Sequence, residues 1–291
     1  MKNKKFVTAV LTPSYMHLAV FLVLPIVAGL LISFFQYNPL NSDSQFIGLA
    51  NFQRLFQDEL FIKSLKNTLF FVSVTVLLNI AIALTLAQFI SKFKSNKVRS
   101  FFRMIFFLPC VAPMVASSVV WGKSIFPTTN GLFNIILRSI GLTEVNWLGD
   151  PSILMWSVIL YTLWVDVGYN IILFSAGMDG IPGELYEAAE LDGANEWQKF
   201  RYITLPLLKR TMVFVVLMTL ISHFQMFAQF SVMILKNGPD NAGLVLTSYI
   251  YQNAFVYKDM GYASAISMAL FVIILLVTLV QQRAQKVDWE Y

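Results

Sequence analysis

The chain has 291 residues, 57% of them hydrophobic and only 13% charged, with a mean hydropathy of +0.66 and a net charge of +5. Soluble globular domains are about 45–50% apolar and about 25% charged, so the excess apolar surface must face something other than water, and its extent excludes disorder. One cysteine, Cys110, and two histidines, His17 and His223, exclude an intrachain disulfide, a thiolate cluster and a histidine metal site. The basic residues flank apolar runs, without the interleaved aromatics of a nucleic-acid patch, so the charge points to a membrane.

Crossing the roughly 30 Å hydrocarbon core takes about 20 apolar residues. The first such run, Tyr15–Phe35, follows Lys2, Lys4 and Lys5. It exceeds the apolar region of a signal peptide and no A-x-A-like site follows, so it is expected to stay as a span. Next, Phe52, Leu55, Phe56, Phe61, Leu65 and Leu69 recur at helical spacing and predict one amphipathic helix on the outer surface. The second run is Leu69–Ile90 and the third Phe101–Ile125, which Pro109 and Pro113 are expected to kink. Ile153–Met178, Leu207–Leu235 and Ala263–Val280 follow. Gly261, Ala265 and Ala269 repeat the small-xxx-small spacing of close helix packing. The prediction is an all-α integral membrane protein with six transmembrane helices. Most of its 21 lysines and arginines fall in the N-terminal stretch, in 92–103, in 199–210, and at Arg283 and Lys286. That bias places both termini on the cytoplasmic side.

No energy source is encoded. Gly122-Lys123-Ser124 lacks the earlier glycine of a phosphate loop, position 117 being Ser, and ends an apolar run; it is a chance match. Asp166 is the only acid well inside a span, so proton relay is not expected and the driving force should come in trans. An ionisable residue within a span is a functional candidate by default. Thr162, Asp166, Tyr169 and Asn170 share one helical face, and Ser222, Gln225 and Gln229 form a second polar stripe beside His223, Phe224 and Phe227. Two readings stand side by side: these groups hydrogen-bond helices together, or Asp166, Tyr169, Asn170, Ser222, Gln225 and Gln229 line a substrate path. Asn79 with Thr75 reads as packing, and His223 as a satisfied interior histidine.

The segment Asp179–Arg210 is polar, and the charge bias puts it inside. Pro182 suits a first helical position, and Glu184 to Leu191 continue the helix, with acids near its positive end. Asp192-Gly193 stops it, Asn195 with Gln198 resembles a capping box for a second helix, and Pro206 is expected to end that helix.

Glu187-Ala188-Ala189, Gly193 and Ile203-Thr204-Leu205-Pro206 reproduce the full spacing EAA-x3-G-x9-I-x-L-P. This resembles the signature of integral membrane subunits of binding-protein-dependent ABC importers. Ser33-Phe34, Phe46-Ile47-Gly48-Leu49, Asn51-Phe52, Asn67-Thr68, Asn237-Gly238-Pro239, Tyr249-Ile250-Tyr251, Ala254-Phe255 and Gly261 to Ala265 are similar to sugar-importer permeases related to the larger maltose-system subunit. Two departures are Lys236-Asn237-Gly238-Pro239, where relatives often carry Gly-Gly-Pro, and the absence of the large external insertion.

The resemblance implies the type I ABC importer permease fold and a multi-pass location in a bacterial or archaeal cytoplasmic membrane. It implies a non-catalytic subunit that passes a sugar, an oligosaccharide as the first expectation, by alternating access. A polyol, glycerol phosphate or other small polar solute is the alternative. The implied partners, besides membrane lipid, are a second homologous permease in a heterodimer, two cytoplasmic ATPase subunits and an external solute-binding protein. Nucleic acid is not among them. ATP and Mg would be used by the ATPase, with no cofactor on this chain. Glu187, Ala188, Ala189, Leu191, Asp192 and Gly193 would form the ATPase-coupling helix. Residues 1–66 then hold the tail, first span and external amphipathic segment, 67–285 a permease core with the coupling loop at 179–206, and 286–291 a C-terminal tail.

Overall fold

In lipid every backbone N–H and C=O needs a partner within the protein, which favours helices for the apolar runs. The computed structural model describes residues 4–40 and 44–284, and apart from one two-residue β-ladder its regular structure is helical. The tail 286–291, and Lys2 and Lys286 of the charge bias, lie outside the described residues.

Helices α1 (Lys4–Leu18) and α2 (Leu24–Ile32) join through a π-helical turn, Ala19–Val23, into the first span. None of the residues 6–32 is buried, so this span leaves its apolar surface to lipid or a partner. Strands β1 (Phe35–Gln36) and β2 (Gln45–Phe46) pair antiparallel, with Phe35 opposite Phe46. Helices α3 (Ala50–Gln57) and α4 (Glu59–Ser91) follow, then α5 (Asn96–Val111), α6 (Met114–Val120) with a π turn to Ile125, and α7 (Leu132–Ser139). The fourth span is α8 (Pro151–Asp179), its first turn capped by Asp150, whose side chain accepts from the Ser152 N–H. The loop carries α9 (Gly183–Leu191), α10 (Glu196–Lys199), a π turn at Phe200–Thr204 and α11 (Leu205–Leu207). Helices α12 (Lys209–Phe224), α13 (Ala228–Met233), α14 (Leu246–Tyr251) and α15 (Met260–Ala284) complete the chain. Among the described residues five helical segments are long and apolar enough to cross a membrane, and the bent pair 96–111 and 114–125 makes a sixth when counted as one span.

Four local expectations change. The third span is broken, not kinked: its halves meet at 88°. Pro109 is accommodated inside α5, but Ala112 (φ −66°, ψ 132°) and Pro113 (φ −56°, ψ 122°) are extended, because a proline's ring crowds a helical residue before it. The predicted outer helix is split in two at Asp58, whose carboxylate accepts from the N–H groups of Leu60 (2.9 Å) and Phe61 (3.2 Å) and so starts α4 well before Leu69. Pro206 does not end its helix. It falls in the first turn of α11, where the missing N–H is tolerated, after a π turn has shifted the hydrogen-bond register. The fifth span is interrupted at 225–227, with Phe227 at φ −130°.

The chain forms two compact units, Met1–Leu65 with Leu246–Ile273, and Lys66–Val245 with Ile274–Tyr291. In the first, Asn51 is buried and donates to the carbonyls of Ser33 (2.9 Å) and Phe35 (3.0 Å). Gly261 abuts the Phe35 carbonyl so closely that a Cβ would collide with it, so this small residue meets strand backbone, not a second helix. The hydroxyls of Tyr249 and Tyr262 both donate to Asp58, and Arg54 lies 3.8 Å over the Tyr262 ring while pairing with Asp259 at 2.7 Å.

In the second unit Ala83, Ala87 and Ile90 of α4 meet Val167, Ile171, Phe174 and Met178 of α8 and Val215 of α12 in one buried cluster. The i, i+4, i+7 spacing on α4 and α8 is what turns these residues to one side. At Gly168 a Cβ would strike the Phe106 carbonyl, so α5 and α8 touch backbone to backbone. The Asn67 amide donates to the carbonyls of Asn241 (3.1 Å) and Leu244 (2.9 Å), clasping the Asn237-Gly238-Pro239 loop. That loop needs support: Lys236, Asn237, Asp240 and Asn241 all have positive φ.

Candidate coupling loop and membrane cavity

Two features outside ordinary helix packing carry the chemistry. The first is the loop after α8. Helix α9 ends in a Schellman turn: the Ala194 N–H donates to the Ala189 carbonyl (2.9 Å) and the Gly193 N–H to that of Glu190 (3.1 Å). Gly193 adopts φ +80°, which a side-chain-bearing residue reaches only with strain, and nothing lies within 4 Å of where its Cβ would be. The Asn195–Gln198 capping box then forms as expected, with bonds of 2.9 and 2.8 Å. Glu187, Ala188, Asp192 and Gly193 are exposed, Ala189 half-buried, and Leu191 is 90% exposed. Leu185, Trp197 and Tyr202 add further uncovered apolar surface to the same loop.

The loop is braced against the spans. Lys199 pairs with Glu190 (3.2 Å) and Glu196 (3.3 Å), and Lys92 at the end of α4 pairs with Glu196 (3.3 Å). Hydrogen bonds from Lys199, then from Lys92, hold the Glu196 carboxyl below its usual value. Tyr186 and Thr204 share a 2.9 Å hydrogen bond across the turn. At the end of α8, Asp179 accepts from Arg103 (2.7 Å) and Arg99 (3.4 Å) of α5. Ion pairs therefore run from α9 through α10 to Lys92 beyond α4, while Asp179, just before α9, ties the end of α8 to α5. The residue pattern gave no sign of the Asp179 clamp, since its partners are 76 and 80 positions away.

The second feature is a cavity of about 500 Å³ where α5 breaks and α8 faces α12. Asp166, Tyr169, Asn170, Ser222 and His223 all line it, so the α8 stripe and the start of the α12 stripe converge. Gln225 and Gln229 do not join them. The helix stops at Phe224, which takes the later residues out of phase; Gln229 is 1% exposed. Cys110 and Met114, from the two sides of the Ala112-Pro113 break, and Met218 add to the lining. The sequence did not single these out, because an apolar residue in a span carries no mark of facing a cavity.

The polar groups divide into committed and open ones. The Asn170 amide donates to Asn79 Oδ1 (2.7 Å) and to Thr219 Oγ1 (3.0 Å), tying α8 to α4 and α12. Asn79 is packing glue as expected, although its partner is Asn170. The His223 ring is only half satisfied: Nδ1 lies 2.7 Å from the Thr219 carbonyl, while Nε2 is buried without a hydrogen-bond partner among the described residues. That Nε2 faces Asp166 Oδ2 at 3.8 Å. Among the described residues no group of three or more His, Cys, Asp or Glu could hold a metal.

Against this architecture, one family comparison decides the classification: residues 79–286 match the family described as the binding-protein-dependent transport system inner membrane component. The chain belongs to that family. It is 35% identical over 291 residues, 99% of each chain, to the probable ABC transporter permease protein YurN of Bacillus subtilis. It is 34% identical, over 92% of its own length and 84% of the other, to the arabinooligosaccharides transport system permease protein AraP of the same organism. Its fold superposes on a chain of a bacterial alginate ABC transporter, solved in complex with alginate pentasaccharide-bound periplasmic protein. The TM-score is 0.86 at 25% identity, covering 98% of this chain and 95% of that one. The type I ABC importer permease fold and the multi-pass membrane character follow. As a member of this inner-membrane family, the subunit is a transport component and not an enzyme.

Proposed function

We propose that this permease passes an oligosaccharide, handed over by an external binding protein, through the cavity at Asp166 by alternating access. The observation that carries the reading is the exposed α9 turn with the complete EAA spacing, held by ion pairs that run through α10 to Lys92 beyond α4. It offers an apolar and acidic knob that a cytoplasmic ATPase can grip. Two such ATPases would act beneath a pair of homologous permeases. ATP and Mg would be used there, with no cofactor on this chain, and both termini would lie on the cytoplasmic side of a bacterial or archaeal cytoplasmic membrane.

Nucleotide-driven closure of the ATPases would draw the coupling helices together and open the cavity outward; hydrolysis would reset it. Each ligand shifts that equilibrium only through its different affinity for the two states. In support of a sugar, the cavity mixes hydroxyl, carboxylate and aromatic groups, as the hydroxyls and C–H faces of a sugar ring require. The arabinooligosaccharide permease and the alginate transporter point to a saccharide cargo, although alginate itself is an acidic polysaccharide. A neutral cargo fits best, because among the described lining residues there is no Lys or Arg to meet an anion. An acid group held about 4 Å from Asp166 would be repelled by about 4 kcal/mol at an effective dielectric of about 20, which also weighs against glycerol phosphate.

The test is ATP hydrolysis by the reconstituted complex with its binding protein across mono- and oligosaccharides. Stimulation and uptake by a neutral oligosaccharide are expected. Co-purification of this chain without an ATPase, or ion-driven transport by this chain alone, would overturn the reading.

A further inference from the structure

The gap between Asp166 and His223 has an unusual hydrogen-bond character. Thr219 O is a carbonyl and can only accept, so the His223 Nδ1 beside it at 2.7 Å must carry a hydrogen. In the neutral ring that leaves Nε2 as a bare acceptor. It points across 3.8 Å at Asp166 Oδ2, another acceptor, a distance too long for a direct hydrogen bond. His223 is 3% exposed and its Nε2 has no partner among the described residues, although nearly all buried polar atoms in folded proteins have one. Both residues line the cavity, where the Asp166 side chain keeps a quarter of its surface. The site therefore holds two convergent acceptors without donors: the Asp166 carboxylate is open to the cavity, and Nε2 lies just beneath its wall, to be uncovered by a turn of the ring or by the change of access state.

Resting on the sugar reading above, we propose that Asp166 and His223 form a two-acceptor clamp for a pair of adjacent hydroxyls on the cargo. One hydroxyl would donate to the carboxylate and its ring neighbour to Nε2. Adjacent ring hydroxyls lie within hydrogen-bond distance of each other and can address two acceptors set slightly further apart. Ser222 on the cavity wall can take a further hydroxyl, and Tyr169, half-exposed, offers an apolar face. The neighbouring Asn170 has no donor to offer, both hydrogens of its amide being committed to Asn79 and Thr219. The clamp makes His223 a specificity-determining residue, in place of the interior packing role its sequence context suggests.

The experiment compares uptake of arabinotriose with that of its monodeoxy analogues by the full importer in proteoliposomes. Wild type and variants share one binding protein, so its selectivity cancels from the comparison. A hydrogen bond to a charged or buried acceptor changes affinity by roughly 10- to 100-fold. Removing one clamped hydroxyl should therefore reduce wild-type kcat/KM by that factor. In Asp166→Asn and His223→Leu the preference for the parent sugar should shrink by about tenfold. His223→Phe, of similar size but without an acceptor, covers the case in which the leucine variant fails to assemble, and His223→Gln, which keeps an acceptor, should retain the preference. Preferences unchanged in Asp166→Asn and in whichever of His223→Leu and His223→Phe assembles would overturn the clamp while leaving the importer assignment standing. Failure of the wild type to take up arabinotriose, lactose or any other neutral saccharide would overturn the sugar reading and the clamp with it.

Discussion

At Gly193 the chain needs a left-handed backbone, φ +80°, to release the end of α9 through its Schellman turn. A Cβ there would meet no atom of this chain within 4 Å, so the strain of a substitution is conformational. Placing alanine in that region costs about 1–2 kcal/mol, which lowers the ratio of correctly turned to otherwise turned loop by roughly 5- to 30-fold. Asparagine tolerates this conformation better, its short polar side chain bonding locally. The expected series in sugar taken up per ATP hydrolysed is therefore wild type, then Gly193→Asn, then Gly193→Ala, with Gly193→Val lowest. Gly193→Asp should insert into the membrane normally yet uncouple hydrolysis from uptake, because it adds a charge where a partner would close on the loop. The assay is simultaneous phosphate release and uptake in proteoliposomes, with assembly checked by co-purification of the ATPase. Wild-type coupling in Gly193→Val would refute the conformational argument, and normal transport by Gly193→Asp would refute the docking role of the loop.

Three further outcomes follow from the packing. Gly168→Ala would drive a methyl into the Phe106 carbonyl, and because backbone cannot shift cheaply the overpacking should cost about 1–3 kcal/mol; a thiol-reactive dye on Cys110, the single cysteine, should report a lower unfolding temperature, and an unchanged one would show that α5 and α8 separate without penalty. Asn170→Ala leaves Asn79 Oδ1 and Thr219 Oγ1 without their shared donor, which should cost about 1 kcal/mol within a membrane; denaturant titration in detergent that finds no change would show water replacing it. Burial alone would raise the Asp58 carboxyl, but hydrogen bonds from Tyr249 and Tyr262, then from the Phe61 and Leu60 N–H groups, hold it below the ordinary 3.8. A lowered folded value stabilises above the unfolded value and is lost as pH falls through the folded one. The stability gap between wild type and Asp58→Asn should thus be full at neutral pH and close below about pH 4, and a gap independent of pH would remove the carboxylate from the account.

What could be read in advance depended on the range of the interaction. The spans were legible because each reports its own hydrophobicity, and the α9 turn because the Gly193 stop and the Asn195–Gln198 box act within a few residues. Pro113 announced a disturbance at Ala112, but an 88° bend depends on what the two halves pack against. The split at Asp58 was missed since an amphipathic period runs on through a capped break with no loss of phase in the apolar residues. Conversely, the stripe through Ser222, Gln225 and Gln229 assumed one unbroken helix, and the interruption at 225–227 turned Gln229 inward. The Asp179 clamp and the Asn79–Asn170–Thr219 node join residues far apart in the chain and so left no local trace.

Polarity inside a span is therefore ambiguous until each hydrogen bond is traced to its partner. Asn170 and Asp166 sit on the same face of α8 and line the same cavity, yet they answer opposite questions. Asn170 is fully committed as a donor, so its loss should act on stability. Asp166 faces an unsatisfied nitrogen across a gap that no described side chain fills, so its loss should act on what the cavity accepts. If the two substitutions were to produce the same phenotype, the division would be false and the whole stripe would be helix packing. Distinct effects, one on unfolding and one on selectivity, are what the hydrogen-bond pattern requires.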